Sequence, residues 1–239
     1  MTSFIHVRKN ALSKDVCNSF INLFEKRTEL HIDGVFGTDG VTVKDENIKS
    51  STDITFSPKF LEDEDFGPYL NENIVPCLQD GLRDYERYYY LAMDNIDEIG
   101  LSLMFNMQRY KPGGGYKIMH CERASNQFFP RTHAWMIYLN DVEIGGETEF
   151  FYQQHFERAE AGKLCIWPAD FTHVHRGIVA PNETKYILTG WYQFIEPLYS
   201  KIVDDETGAY KDDTFELSAI GMMDKYHPLY EVKDKNEDI

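Results

Sequence analysis

The sequence predicts an α+β fold, mainly β, with a helical N-terminal part over residues 1–100 and a β-rich core over 101–196. Three observations predict it. Apolar residues recur at helical spacing in two early segments, at 13–28 and again after Pro68. From Leu101 onward, short β-branched and aromatic stretches alternate with Gly, Pro and Asn punctuation. And 239 residues, 42% of them hydrophobic, are enough to bury a sizeable core as one domain.

In chain order, Ser13 is placed to cap a first helix, and Val16, Phe20 and Phe24 follow at every fourth position on one face. From Gly34 to Ser57, a Gly, Asp, Ser and Thr background with Val41, Val43 and Ile54 predicts weak strands and loops. A second long helix is expected from Pro68 to about Leu91. Leu70, Ile74, Cys77, Leu78, Leu82 and Tyr85 share its broad apolar face, and Gly81 is its internal weak point. Six strands are then expected, at 101–110, 115–122, 132–139, 147–152, 163–167 and 184–195, forming an antiparallel sandwich or jelly roll. One domain is read over 1–199, followed by an acidic C-terminal extension, 200–239, whose end is expected to fray.

A formal charge of −16 repels phosphate backbones and argues against nucleic acid as a partner. Cys17, Cys77, Cys121 and Cys165 are scattered, with no CxxC pair, and read as reduced thiols. No apolar run has signal-peptide or membrane-span length, so a cytoplasmic protein without a membrane partner is expected. Nothing in the sequence specifies an oligomeric state.

The chemistry concentrates in two segments. In MQRYKPGGGYKIMHCERAS, His120 and Glu122 stand two residues apart, so the period of a strand would turn both to one face, with Cys121 opposite and in the core. In WPADFTHVHRG, His173 and His175 follow some fifty residues later. Two histidines and a carboxylate on one face of an octahedral ion leave three adjacent positions open, which suits ferrous iron. Ten residues beyond His175 comes Lys185, in phase along TKYILTGWYQF with Ile187, Thr189 and Trp191. A lysine on such a face needs an anionic partner, and a dicarboxylate is one. Arg123, Arg131 and Arg176 flank these segments at the expected mouth, the first two as solvated groups.

In their order along the chain, these motifs resemble the prolyl 4-hydroxylase-like 2-oxoglutarate and iron(II) dioxygenases. The matching elements are Tyr110, Gly113 to Gly115, Tyr116, His-Cys-Glu at 120–122, MIYLND at 136–141, GGETEF at 145–150, His175, Lys185 and Trp191. The resemblance implies a double-stranded β-helix, or cupin-like jelly roll, flanked by N-terminal helices. It implies Fe(II) and 2-oxoglutarate as cofactors, with ascorbate a further candidate. It also implies His120, Glu122 and His175 as metal ligands, since only His175 has the family's spacing to the basic residue. Lys185 and Tyr138 would hold the far carboxylate of 2-oxoglutarate and Tyr110 would line its pocket, with Thr189 and Trp191 contributing. No catalytic residue beyond these ligands is implied.

The chain departs from the family in carrying Glu122 where Asp is usual, which moves the carboxylate by about one bond length without removing the anionic oxygen. The implied reaction is hydroxylation of a C–H bond, in a prolyl residue of a peptide or protein, with 2-oxoglutarate decarboxylated to succinate and CO2. The sequence leaves open the same chemistry on a lysyl residue, a free amino acid or a small metabolite, and a non-catalytic jelly-roll binding module.

Overall fold

A computed structural model describes residues 3–38, 41–102 and 104–195. The expected extension, 200–239, lies outside the described residues. The chain begins with β1 (His6–Arg8) and α1 (Lys14–Lys26), whose Ser13 hydroxyl accepts a hydrogen bond from the Val16 amide at 3.2 Å. Short strands follow: β2 (Ile32–Asp33), a hairpin of β3 (Phe36–Thr38) and β4 (Val41–Val43), then β5 (Lys49–Ser50) and β6 (Thr52–Phe56). The second helical stretch runs through α2 (Gly67–Tyr69), a π-helical turn at Leu70–Ile74 and α3 (Val75–Tyr88), and ends in α4 (Tyr90–Met93). The predicted face of Leu70, Ile74, Cys77, Leu78, Leu82 and Tyr85 is buried throughout.

The remaining elements are β7 (Ile99–Leu101), β8 (Phe105–Tyr110), β9 (Gly115–Tyr116), β10 (Arg131–Tyr138), β11 (Thr148–Phe150), β12 (His155–Glu157), β13 (Lys163–Pro168), β14 (His175–Gly177) and β15 (Lys185–Phe194). An antiparallel major sheet runs β1-β13-β10-β15-β8-β6-β2, with β7 beside the far end of β15. A minor sheet, β12-β11-β14, faces it, and the small pair β5-β9 lies next to β14. This is the mainly β, α+β jelly roll that the strand pattern predicts, with helices covering one face of the major sheet.

Alternation along each major strand separates two cores. Trp135, Ile137, Leu164, Ile166, Leu188 and Tyr192 pack outward against Phe20, Phe24, Leu78 and Leu82 of the helices. Ala134, Met136, Tyr138, Cys165, Trp167 and Ile187 point inward, between the sheets. Gly81, expected to weaken α3, is instead required there. A Cβ at that position would collide with the Leu164 side chain and come within 3.2 Å of Ile166 Cδ1, so its absence lets α3 lie close on β13.

One expected strand is largely missing. Of 115–122 only β9 pairs regularly, and the rest meets the minor sheet through a single bridge between His120 and His175. Beyond it, the amides of Glu122 and Arg123 both donate to the Ala169 carbonyl, at 3.1 and 3.0 Å, which turns the chain out of any sheet register.

Candidate metal and co-substrate site

The bridge that replaces the missing strand builds the centre of the site. The His120 amide donates to the His175 carbonyl and the His175 amide to the His120 carbonyl, each at 2.9 Å, so the two residues sit side by side at the β14 edge of the minor sheet. Each imidazole is then oriented by its own chain. Nδ1 of His120 lies 3.0 Å from the Ile118 carbonyl, and Nδ1 of His175 lies 2.9 Å from the His173 carbonyl. An acceptor at Nδ1 places the proton there and leaves Nε2 as a free donor atom. Both Nε2 atoms point at Glu122 Oε1, at 3.5 Å from His120 and 3.4 Å from His175.

One ligand atom from each of these three residues lies within 4.8 Å of the others, a grouping that could hold a metal ion. Burial, and then the neighbouring His175, push the His120 pKa below its usual value, which favours the neutral ring that a metal requires. His173, the alternative in the sequence, turns away. It sits in a one-turn helix, with Nε2 2.8 Å from the Ser3 carbonyl and Nδ1 2.9 Å from the Thr172 hydroxyl.

These residues open into a cavity of about 600 Å³ between the sheets. Lys185 lines its inner end. It is 5% exposed, and among the described residues its Nζ has no hydrogen-bond or ion-pair partner. The rings of Tyr138 and Tyr110 lie 5.3 and 6.0 Å from it. Burial lowers its pKa to about 8 against a smaller opposing pull from Glu147, which lies beyond ion-pair distance, so at neutral pH an ammonium without a direct partner lines the cavity. The donors present therefore fit both implied groups: two imidazoles and one carboxylate for an iron ion, and a lone buried cation for a carboxylate.

Not every expected residue lies where the pattern put it. Tyr138 is fully buried, with its ring 5.3 Å from Lys185 Nζ and its hydroxyl 2.6 Å from the Thr148 hydroxyl, and Thr148 is the member of that pair that lines the cavity. Two glycines at positive φ, Gly145 and Gly146, shape the turn that delivers Thr148. Tyr110 lines the cavity, with its hydroxyl donating to Gln108 Oε1 at 2.6 Å. Thr189 and Trp191 line it too, but the Thr189 hydroxyl donates to the Trp135 carbonyl, and the Trp191 indole N–H donates to Glu122 Oε2 at 2.7 Å. Trp191 therefore belongs to the metal end of the cavity.

Cys121, expected in the core, is partly exposed at the cavity wall, since the irregular chain there does not alternate. Arg131, expected to be solvated, is packed over the Trp191 ring at 3.5 Å and the Phe128 ring at 4.0 Å. Arg123 pairs with Asp170 and Arg176 with Glu149. A network absent from the sequence reading, Lys49–Asp53–Gln108–Tyr110, contributes Lys49, Gln108 and Tyr110 to the lining, with Asp53 behind them and its Oδ2 2.6 Å from Lys49 Nζ.

A jelly roll enclosing an inward His–Glu–His group beside a buried lysine defines the non-haem metal, dicarboxylate-using class of oxygenase sites. Comparison gives the class its name. Residues 105–193 match the family model of the 2OG-Fe(II) oxygenase superfamily. Curated protein sequences gave no match.

Solved structures share the fold. A viral collagen prolyl hydroxylase from Paramecium bursaria Chlorella virus-1, in its 2-oxoglutarate complex, is 17% identical over 81% of this chain and 97% of its own, with a TM-score of 0.57. A Pseudomonas putida prolyl-4-hydroxylase is 15% identical over 81% and 94%, with a TM-score of 0.57. A Trichoplax adhaerens prolyl hydroxylase, solved with a hypoxia inducible factor oxygen degradation domain peptide, is 15% identical over 80% and 84%, with a TM-score of 0.61. Residues 105–193 carry the 2OG-Fe(II) oxygenase domain, the domain of 2-oxoglutarate-dependent dioxygenases that use Fe(II) and 2-oxoglutarate, and the His–Glu–His grouping lies within it. No helix among the described residues is long and apolar enough to cross a membrane.

Proposed function

We propose that this chain hydroxylates a prolyl residue of a peptide or protein. His120, Glu122 and His175 hold Fe(II), and Lys185 holds the far carboxylate of 2-oxoglutarate. The observation that carries the reading is the unpartnered Lys185 ammonium at the inner end of the cavity that the three donors share. A metal-binding module without a co-substrate would have no use for a buried cation there.

When bound, iron and 2-oxoglutarate together supply the oxidising chemistry: dioxygen is consumed, 2-oxoglutarate leaves as succinate and CO2, and one oxygen atom enters a substrate C–H bond. The protein supplies placement. Lys185 and the Thr148 hydroxyl anchor one end of the dicarboxylate, with Tyr110 alongside, which orients its other end toward the triad. Ile187, Met136 and Trp167 line the cavity between and exclude water. Val35, Phe36, Asn106 and Phe128 also line the cavity, and the substrate is proposed to enter past them. A peptide substrate is supported by the fold shared with prolyl hydroxylases, one of them solved with a peptide. Residues 1–199 are proposed to form this single catalytic domain.

The test has two arms. Anaerobic addition of Fe(II) and then 2-oxoglutarate to the full chain should produce a weak visible charge-transfer band. Folded protein without that band would sink the cofactor assignment. Pro-rich peptides, screened in air, should gain the mass of one oxygen. If small metabolites drive succinate formation and no peptide does, the chemistry stands and the prolyl substrate falls.

A further inference from the structure

We propose that Trp191 and Arg131 are positioning residues that restrict Glu122 to one-oxygen metal binding. The inference rests on the reading of His120, Glu122 and His175 as the metal ligands.

A carboxylate has two equivalent oxygens, and the extra methylene of glutamate gives them freedom to swing. Bound through both, Glu122 would take two adjacent positions on an octahedral ion and leave two vacant instead of three. A chelating co-substrate fills two, so dioxygen would have none.

Here the two oxygens have different surroundings. Oε1 faces both imidazoles, at 3.5 and 3.4 Å. Oε2 accepts the Trp191 indole N–H at 2.7 Å, and Arg131 Nη1 lies 3.8 Å from the same oxygen. Neither restraint is free to move. Trp191 lies within β15, paired with Ala134 of β10, and its carbonyl accepts from the Ser102 amide. Arg131 starts β10, is held between the Trp191 and Phe128 rings, and donates from Nη1 to the Glu122 carbonyl at 3.1 Å. Side chain and backbone of Glu122 are thus gripped by two adjacent strands of the major sheet, while both histidines come from the minor-sheet side. The longer side chain is accommodated because its rear oxygen has its own donors.

Trp191→Phe removes the N–H and keeps a ring for Arg131 to stack on. The full-length chain, loaded anaerobically with Co(II) as a spectroscopic stand-in, should show by infrared difference spectroscopy a narrower splitting between the two carboxylate stretches than wild type, the signature of binding through both oxygens. By calorimetry, metal affinity should change roughly 10- to 100-fold, as when other outer hydrogen bonds to metal ligands are lost. The 2-oxoglutarate affinity of the loaded protein should fall as well. Arg131→Gln, which weakens the hold on the same oxygen without touching the indole, should shift the splitting in the same direction. Unchanged splitting, metal affinity and 2-oxoglutarate affinity in both variants would overturn the restraint while leaving the ligands standing. A wild-type chain that takes up no metal would overturn both.

Discussion

Lys185→Met should make the protein more stable and unable to hold its co-substrate, a pairing of effects that a structural lysine would not give. The magnitude follows from burial. Lys185 is 5% exposed and its pKa falls from 10.5 to about 8. At about 1.4 kcal/mol per unit, its charge costs the folded apoprotein about 3 kcal/mol. Because the folded pKa is the lower one, the unfolded chain binds more protons between pH 8 and 10.5. Wild-type stability should therefore rise with pH across that window, and the full cost should be present below it. Methionine keeps the apolar stem and drops the charge, so urea unfolding of the apoprotein at pH 7 should show a gain of up to about 3 kcal/mol, shrinking as the pH approaches 10. Conversely, a co-substrate carboxylate buried without its cation should weaken 2-oxoglutarate binding by about 3 kcal/mol or more, beyond a hundredfold. A variant that is less stable than wild type and binds 2-oxoglutarate equally well would refute the reasoning.

Three further outcomes are expected. In the wild type, 2-oxoglutarate binding followed by calorimetry should weaken as pH rises through about 8, where Lys185 loses its proton before the ligand arrives; Lys185→Met should lack that dependence, and a pH-independent wild type would count against it. His133, buried beside Tyr85, has its pKa lowered to about 4, chiefly by burial, so the unfolded chain takes up the proton first on acidification. About 3 kcal/mol of stability should be lost between pH 6.5 and 4, and His133→Phe should flatten that part of the curve measured by chemical denaturation. Gly81→Ala should raise intrinsic helix propensity yet lower the melting temperature, because overpacking against Leu164 and Ile166 costs about 1–3 kcal/mol and outweighs a gain of about 1; a higher melting temperature would show that α3 can shift on β13.

What was legible in the sequence was whatever depends on period. The helical face from Leu70 to Tyr85, and the inward set Lys185, Ile187, Thr189 and Trp191 on β15, follow from spacings of 3.6 and 2 residues and appear as read. What was not legible depends on partners brought from elsewhere. The segment 117–122 is held by long-range bonds to His175 and Ala169, so its side chains do not alternate and Cys121 faces the cavity. Arg131 reads as a solvated charge until Phe128 and Trp191 close on it. The partner of the Tyr138 hydroxyl, Thr148 on β11, is likewise set by the fold and not by local spacing. The Lys49–Asp53–Gln108 network joins three strands, β5, β6 and β8, that local spacing does not bring together.

The same logic separates the buried lysines of the described residues by what each is for. Lys49 is met by Asp53 at 2.6 Å and the Val35 carbonyl, and Lys163 by Glu157 and Glu160 at 2.5 and 2.7 Å. Each of those charges is compensated inside the fold, as a structural charge must be. Lys185 is as deeply buried as they are, yet among the described residues its ammonium has no hydrogen-bond or ion-pair partner: the Tyr138 and Tyr110 rings lie 5.3 and 6.0 Å away, and Glu147 acts on it only from beyond ion-pair distance, whereas Lys49, which lines the same cavity, has its charge met directly. A fold retains an uncompensated charge of about 3 kcal/mol only if something outside the chain neutralises it in the working state. The compensating group must be anionic, small enough for the cavity and able to reach toward the histidines at its other end, and 2-oxoglutarate meets all three conditions.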